Sequence, residues 1–442
     1  MKDNSFYDQI YACYSGIRGN VDKTVAFEML CYFSLLKKAE MDDIEIFKKE
    51  YSIGFLSRVF GEYVIADELI EYYEEVEQWY GNGAFAFGVV SEPVAAIFRK
   101  VDSDTIKELF VGMAKIKIDD KKDLTEFYDT VLEIRNELTW KDGFATSTNK
   151  WLAMLEGKLL DARKGNTVFD YFCGTGMSVV YGCEKSNATA CIMDQNITSL
   201  ATAYINLVIH DCKIGRVMCG DANFAKKPMF EPIDRIVSEP PISIRHDSKY
   251  CEQVSEIRKI ISKDSIEVEG IIDRLGDDGK AVVLVPVGFL FKGGKVIDFR
   301  TELVEKNLLE AVMGIPAGVI PGSMIMTALL IINKKKKDDK VIVVDSTNFW
   351  TQKSRTEYVL NHKSIKSLYD IVNERKEIKG VSKIISPEEI KGGEYNLNPG
   401  LYLATFQPAE IEVEDCSKLL DQQKQLVERL MEYETQLAKL RG

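Results

Sequence analysis

The chain is poor in histidine. Three occur in 442 residues, His210, His246 and His362, and none lies near another or near a cysteine pair. A zinc site needs clustered His or Cys ligands at short spacing, so none is expected. The nine cysteines are scattered, odd in number and include no Cys-x-x-Cys. That argues against a disulfide framework and for reduced thiols in a cytoplasm. Long hydrophobic runs are missing as well. The longest, Ala281 to Phe291, is too short to span a bilayer and contains Pro286. The first residues turn polar at once, so no secretory signal is expected. Excess positive charge is also missing: 57 Lys and Arg stand against 69 Asp and Glu, a net charge of −12. A protein that grips nucleic acid alone carries a basic face. This balance fits a subunit that reaches such a polyanion with help from a partner.

What is present divides the chain into three parts. Residues 1–140 read as a helical domain. Apolar positions recur at helical spacing from Val25 to Leu36 and again from Val64 to Tyr80. Asp123 with Glu126 resembles a capping box that opens a further helix through Phe127, Val131 and Ile134. Trp79 and Tyr80 read as core and turn rather than as a site. From 141 to 405 short β-branched runs alternate with helical stretches: Thr167–Phe172, Ala190–Asp194, Arg216–Asp221, Arg235–Val237, Ala281–Val285, Ala311–Ile315, Ala328–Ile332 and Val341–Val344. That alternation implies an α/β domain with parallel strands and crossover helices. Lys334 to Lys337, followed by Asp338 and Asp339, reads as a solvated turn. Residues 406–442 close with an amphipathic helix. Leu419, Leu426, Leu430, Tyr433, Leu437 and Leu440 follow a coiled-coil seam, with polar Gln423 at one position. Such a helix is marginal alone and is expected to dock on a partner or on the chain's own body.

Two stretches carry chemistry. Val168 to Gly176 is an apolar run that ends in Asp170 and a Gly174-x-Gly176 turn. Glycines there let the backbone approach a ligand at a helix N-terminus. No third glycine follows at dinucleotide-binding spacing, so this turn alone is a weak signal. It gains weight from position, since Asp170, Asp194, Asp221 and Glu239 each sit at or just beyond the end of a predicted strand. Ligands of open α/β sheets bind at those ends, and an acid after the second strand is placed to hold a ribose diol. The second stretch is Ser238-Glu239-Pro240-Pro241-Ile242.

Taken in order, Phe144-Ala145-Thr146-Ser147, Asp170 to Gly176, Met193-Asp194 with Ala203 to Leu207, Cys219-Gly220-Asp221, and Glu239-Pro240-Pro241 resemble the motifs of adenine-N6 DNA methyltransferases. The nearest likeness is to the modification subunit of type I restriction–modification systems. Ala281 to Phe291, Leu308 to Pro316 and Tyr395-Asn396-Leu397-Asn398 are similar to later elements of that family. The resemblance implies a Rossmann-like class I methyltransferase domain with a mixed, mostly parallel sheet, and S-adenosylmethionine as cofactor. It implies that Thr146 contacts the amino-acid end of the cofactor. Asp170, Cys173, Gly174, Thr175 and Gly176 would cradle it, Asp194 would bind the ribose and Asp221 the adenine amine. Where the family pairs Thr with Pro, this chain has Ser147.

The catalytic motif departs from the pattern. The family's Asn-Pro-Pro-aromatic is here Glu239-Pro240-Pro241-Ile242. The Asn oxygen and first Pro carbonyl accept the amino hydrogens of a flipped adenine, and the aromatic stacks on it. Glu239 can accept hydrogen bonds, but its extra methylene displaces the oxygens, and about 1 Å of misplacement can cost about 100-fold. Ile242 lacks a π-face. Several readings stay open: an active adenine-N6 DNA methyltransferase, a degenerate subunit acting as structural and DNA-binding partner, transfer to RNA or protein, or another adenosine-ligand enzyme. The expected partners are DNA and a specificity subunit docked through the C-terminal helix, with a second modification-type subunit and a nuclease subunit as further candidates.

Overall fold

A computed structural model describes residues 6–44, 66–81, 88–139, 148–224, 233–242, 246–354, 357–403, 423–431 and 433. The chain forms two compact units, Met1–Leu403 and Ala404–Gly442.

The first unit opens with helices α1 (Phe6–Ile17), α2 (Lys23–Met41), α3 (Ala66–Gly81), α4 (Ser91–Phe98), α5 (Ser103–Ala114) and α6 (Lys121–Thr139). α2 is the central rod. Asp22 caps it by accepting from the Thr24 amide, and Phe27, Leu30, Tyr32, Phe33 and Leu36 are fully buried on several of its faces. A helix that is apolar most of the way round must be surrounded by others. α6 starts before the Asp123 position read from the sequence. Asp120 receives the Asp123 amide at 2.8 Å, and Asp123 receives that of Asp119. Trp79 departs from expectation, being 50% exposed, while Tyr80 donates to Asp42 at 2.8 Å.

The sheet follows: α7 (Lys150–Leu160), β1 (Thr167–Asp170), α8 (Met177–Cys183), β2 (Thr189–Asp194), α9 (Ile197–Ile209), β3 (Lys213–Cys219) and β4 (Ile233–Ser238). After these come α10 (Ser248–Ser255), α11 (Ile266–Arg274), β5 (Leu275–Pro286), α12 (Val296–Glu305), β6 (Leu309–Ile315), β7 (Thr327–Asn333) and β8 (Val341–Asp345). A small hairpin, β9 (Thr351–Ser354) and β10 (Glu357–Val359), precedes α13 (His362–Asn373) and β11 (Ser382–Ile385). The nine-stranded order is β11-β8-β6-β7-β5-β4-β1-β2-β3. All eight strands expected from sequence are present. β1 to β5 run parallel, β7 inserts antiparallel between β5 and β6, and β11 pairs antiparallel with β8. This is the mixed, mostly parallel sheet of class I methyltransferases.

Strand residues alternate between two cores. Val168 faces the side covered by α7, α8 and α9, and Phe169 the side covered by α11 and α12. Burial on both faces explains why the central strands read as unbroken apolar runs. The N-terminal helices pack on α9: Tyr128 donates to the Thr202 carbonyl at 2.9 Å, and buried Lys38 pairs with Asp211 at 2.5 Å. The lysine run caps the far end of the sheet as a turn, with Lys335 paired to Asp278 and Lys336 donating to the Leu309 carbonyl. Among the described residues no helix is long and apolar enough to cross a membrane. In the second unit residues 423–431 are helical, and seam positions Leu426, Leu430 and Tyr433 are each about 60% exposed. Leu419, Leu437 and Leu440 lie outside the described residues.

Candidate active site

Strand order reverses around β1, which has β2 on one side and β4 on the other, and a crevice opens there at the carboxyl ends. The crevice is a cleft of about 770 Å³. Gly174, Asp194, Asp221, Glu239, Pro240, Pro241 and Ile242 all line it, so the predicted cofactor turn and the Glu-Pro-Pro motif share one space.

The turn after β1 is held from below. Asp170 is 2% exposed, and its Oδ1 accepts from the Ser238 hydroxyl at 2.7 Å and from the Phe172 amide at 3.1 Å. Burial pushes its carboxyl up to about 7, against the pull of those two donors. Asp170 therefore ties the end of β1 to that of β4 and does not itself line the cleft wall. Cys173, Thr175 and Gly176 are buried too. The Cys173 amide donates to Met193, and the Thr175 carbonyl accepts from Asn206 at 2.9 Å. At Gly176 φ is +78°, and a Cβ would stand 3.0 Å from Ala203 Cα. These residues shape the turn. Gly174 is the one that meets the cleft. Its φ is +51°, and nothing lies within 4 Å of where a Cβ would point.

Asp194 closes the turn. Its Oδ2 accepts from the Gly174 amide at 2.9 Å and its Oδ1 from the Asn196 amide at 2.8 Å. Burial raises its carboxyl, and those backbone donors pull it down. Each oxygen keeps a lone pair for a ligand diol. Asp221 accepts from Asn223 and, at 2.8 Å, from the Tyr250 hydroxyl. Tyr250 stacks on His246 at 4.1 Å, and His246 meets Glu267 at 2.6 Å. Tyr250, His246 and Glu267 lie in a stretch without motif, so their link to Asp221 was not legible in the sequence.

Glu239 follows β4 and is half-buried. Its Oε1 accepts from Ser178 at 3.1 Å, and the Thr148 hydroxyl bonds its carboxylate as well. Ser178 also lies 2.7 Å from Oε2 of Glu156, which is fully buried on α7. Burial raises both carboxyls, Glu156 the more strongly because Glu239 and Asp170 add negative charge beside it. Thr148, Glu156 and Ser178 went unread in the sequence. The available signal was Glu156 itself, an acid inside the apolar stripe Leu152, Ala153, Leu155, Leu159, Leu160. Thr146 falls outside the described residues. Ile242 is partly buried and packs on the core.

The model of the N-6 DNA Methylase family matches residues 119–411. The chain belongs to that family. It is 22% identical over 383 residues to the type I restriction enzyme MpnII methylase subunit of Mycoplasma pneumoniae, which covers 78% of this chain and 70% of that protein. It is 24% identical over 304 residues to the MjaVII methylase subunit of Methanocaldococcus jannaschii, and there the chain spans 53% of the relative's length. Among solved structures, a type I restriction-modification methyltransferase subunit from Streptococcus thermophilus matches in fold. Its TM-score is 0.67 at 18% identity, over 91% of this chain and 99% of that one.

S-adenosylmethionine is the methyl donor that this family and fold imply. The residues fit it. The open face above Gly174 admits close approach, Asp194 retains acceptors for a diol, and an acid-lined cleft suits a sulfonium cation. When bound, the cofactor supplies an electrophilic methyl group.

Proposed function

We propose that this methylase is the modification subunit of a type I restriction–modification assembly and that it methylates N6 of adenine in DNA. The observation that carries the reading is the single cleft in which Gly174 and Asp194 stand with Glu239 and Pro240. Gly174 and Asp194 hold the cofactor and Asp221 its adenine end. Glu239 and the Pro240 carbonyl accept the amino hydrogens of a flipped adenine. The amine is a weak nucleophile because its lone pair is delocalised into the ring, so catalysis here is mostly positioning and charge stabilisation. Ile242 gives the base an apolar contact. Thr146 would bear on the cofactor's amino-acid end. We assign residues 1–140 to a helical domain that closes over DNA, 141–405 to catalysis, and 406–442 to docking on a specificity subunit. The acidic total charge supports such division of labour, since the phosphate-binding surface has to come largely from a partner.

The test is transfer of labelled methyl groups from S-adenosylmethionine to DNA by the chain assembled with its specificity subunit, with N6-methyladenine identified in the digest. Transfer lost on Glu239→Ala supports the reading, and transfer to a different atom or polymer would sink it. A second reading, that of a cofactor-binding but catalytically silent subunit, is favoured by the contact of Glu239 with a second acid instead of a neutral amide. It predicts cofactor binding without any transfer, unless a second subunit with an intact Asn-Pro-Pro-aromatic motif is supplied. Truncation at Gln407 should abolish assembly with the specificity subunit, and unchanged co-purification would refute the docking role.

A further inference from the structure

The acid pair below the cleft has an unusual proton inventory. Ser178 stands 2.7 Å from Glu156 Oε2 and 3.1 Å from Glu239 Oε1. A serine hydroxyl carries one hydrogen, so it cannot donate fully to two carboxylates. Glu156 Oε1 is buried and has no donor. An ionised carboxylate with one oxygen unsatisfied in such a place costs several kcal/mol, whereas a neutral carboxyl there costs far less. Glu239 differs in both respects. It keeps surface on the cleft, and Thr148 donates to it in addition to its contact with Ser178, which favours its charged form.

The groups around the pair agree. α7 contributes Glu156, α8 contributes Ser178, and the strand ends contribute Asp170 and Glu239. The charges that weigh most on Glu156 are those of Glu239 and Asp170, both negative when ionised. The close approach is built in by Gly157, where a Cβ would lie 2.5 Å from the Tyr181 carbonyl carbon of α8. Any side chain there would push α7 away from Ser178.

We infer that Glu156 is a positioning residue for methyl transfer: it holds a proton against Glu239, through Ser178 or directly, and so fixes Glu239 as a singly charged acceptor facing the cleft. With the proton on Glu156, a donor chain runs from the Glu156 hydroxyl to Ser178 and from Ser178 to Glu239. The pair then carries one negative charge, and Glu239 presents an oxygen to an amine hydrogen as a side-chain amide would. The long Glu239 side chain is tethered at its far end, which limits the misplacement its extra methylene would otherwise bring. The inference rests on the function proposed above, but its first test does not.

That test is infrared difference spectroscopy of the purified chain at neutral pH, comparing wild type with Glu156→Gln and Glu239→Gln in the protonated-carboxyl region. A protonated band lost in E156Q and kept in E239Q places the proton on Glu156. A band kept in E156Q and lost in E239Q, or lost in neither, overturns the inference whatever the enzyme does. The second test is transfer in the assembled complex. E156Q, whose amide can donate in place of the carboxyl, should stay within a few-fold of wild type. E156M, of similar size but without a donor, should lose about 10- to 100-fold in kcat with little change in KM, because the acceptor is no longer held. A merely space-filling role predicts that E156M is at least as active as E156Q, with the wild-type pH profile. Absence of transfer in wild type, beside a positive infrared result, would refute the proposed function and leave the shared proton standing.

Discussion

Asp170 is the buried acid whose charge state can be worked through. Its carboxyl moves from an ordinary 3.8 to about 7 because it is 2% exposed, and that burial outweighs the donors Ser238 and Phe172. A shift of about three units is worth roughly 4 kcal/mol between protonation states. The sign follows from which state holds the proton. Between pH of about 4 and about 7 the folded chain keeps a proton that the unfolded chain has lost. Stability therefore falls as pH rises through that window and levels off above it. Asp170→Asn keeps the oxygen that accepts from Ser238 and Phe172 but has no proton to lose. The stability difference between wild type and D170N should thus change by about 2–3 kcal/mol from pH 5 to pH 8, with the variant gaining relative to wild type. Denaturant midpoints across pH for the two chains would measure it. Glu156 and Glu239 feel the charge of Asp170, so the same comparison in an E156Q background separates their contribution from that of Asp170. A difference that stays constant within about 0.5 kcal/mol would refute both the burial argument and the assigned cause.

Asp194→Ala removes the acceptor beside Gly174, and calorimetric titration of S-adenosylmethionine should show affinity reduced at least about 100-fold; unchanged affinity would remove Asp194 from the site. Gly157→Ala places a methyl group against the backbone of Tyr181. It should cost about 1–3 kcal/mol, read as a lower melting temperature, and a neutral result would mean that α7 and α8 are less tightly packed than described. Ile242→Tyr restores a π-face at the base position. It should strengthen binding of a 2-aminopurine-containing target duplex, with up to about 1–3 kcal/mol available from stacking. No gain in affinity would mean that Ile242 does not face the flipped base.

Much of the sheet was legible because its signals are local. Central strands buried on both faces are continuous apolar runs, and the acids that end β1, β2 and β4 stand out at the boundaries. The position of β7 was not legible. Thr327–Asn333 reads like any other buried strand, and its antiparallel insertion depends on pairing with β5 and β6 across the sheet. The site divides in the same way. Asp194, Asp221 and Glu239, singled out by their place after strands, do line the cleft. Glu156 and Ser178 were missed, because the close packing of α7 on α8 through Gly157 that brings them together is not visible in one dimension. Asp170, Cys173, Thr175 and Gly176 are buried in the turn that carries Gly174 to the cleft, a placement that depends on contacts across the sheet and not on the local motif. Trp79 shows the limit of composition: an aromatic at helical spacing was read as core and is half exposed.

The charge of the cleft bears on how such an enzyme uses DNA at all. Asp194, Asp221, Glu239 and Glu267 line one cavity, with Asp170 and Glu156 directly behind it. A field of that sign attracts a cationic sulfonium and repels a phosphate backbone. It is indifferent to a neutral base, which is the one part of DNA that has to enter. The single proton shared by Glu156 and Glu239 keeps this field from growing where the amine must sit. Repulsion of the backbone then has to be offset elsewhere, by Lys and Arg on surfaces that the net charge of −12 leaves in short supply on this chain. The acidic, cation-selecting cleft and the partner-supplied DNA-binding surface proposed above would both follow from this one charge distribution. Salt should accordingly weaken DNA binding by the assembled complex far more than it weakens cofactor binding by the chain alone.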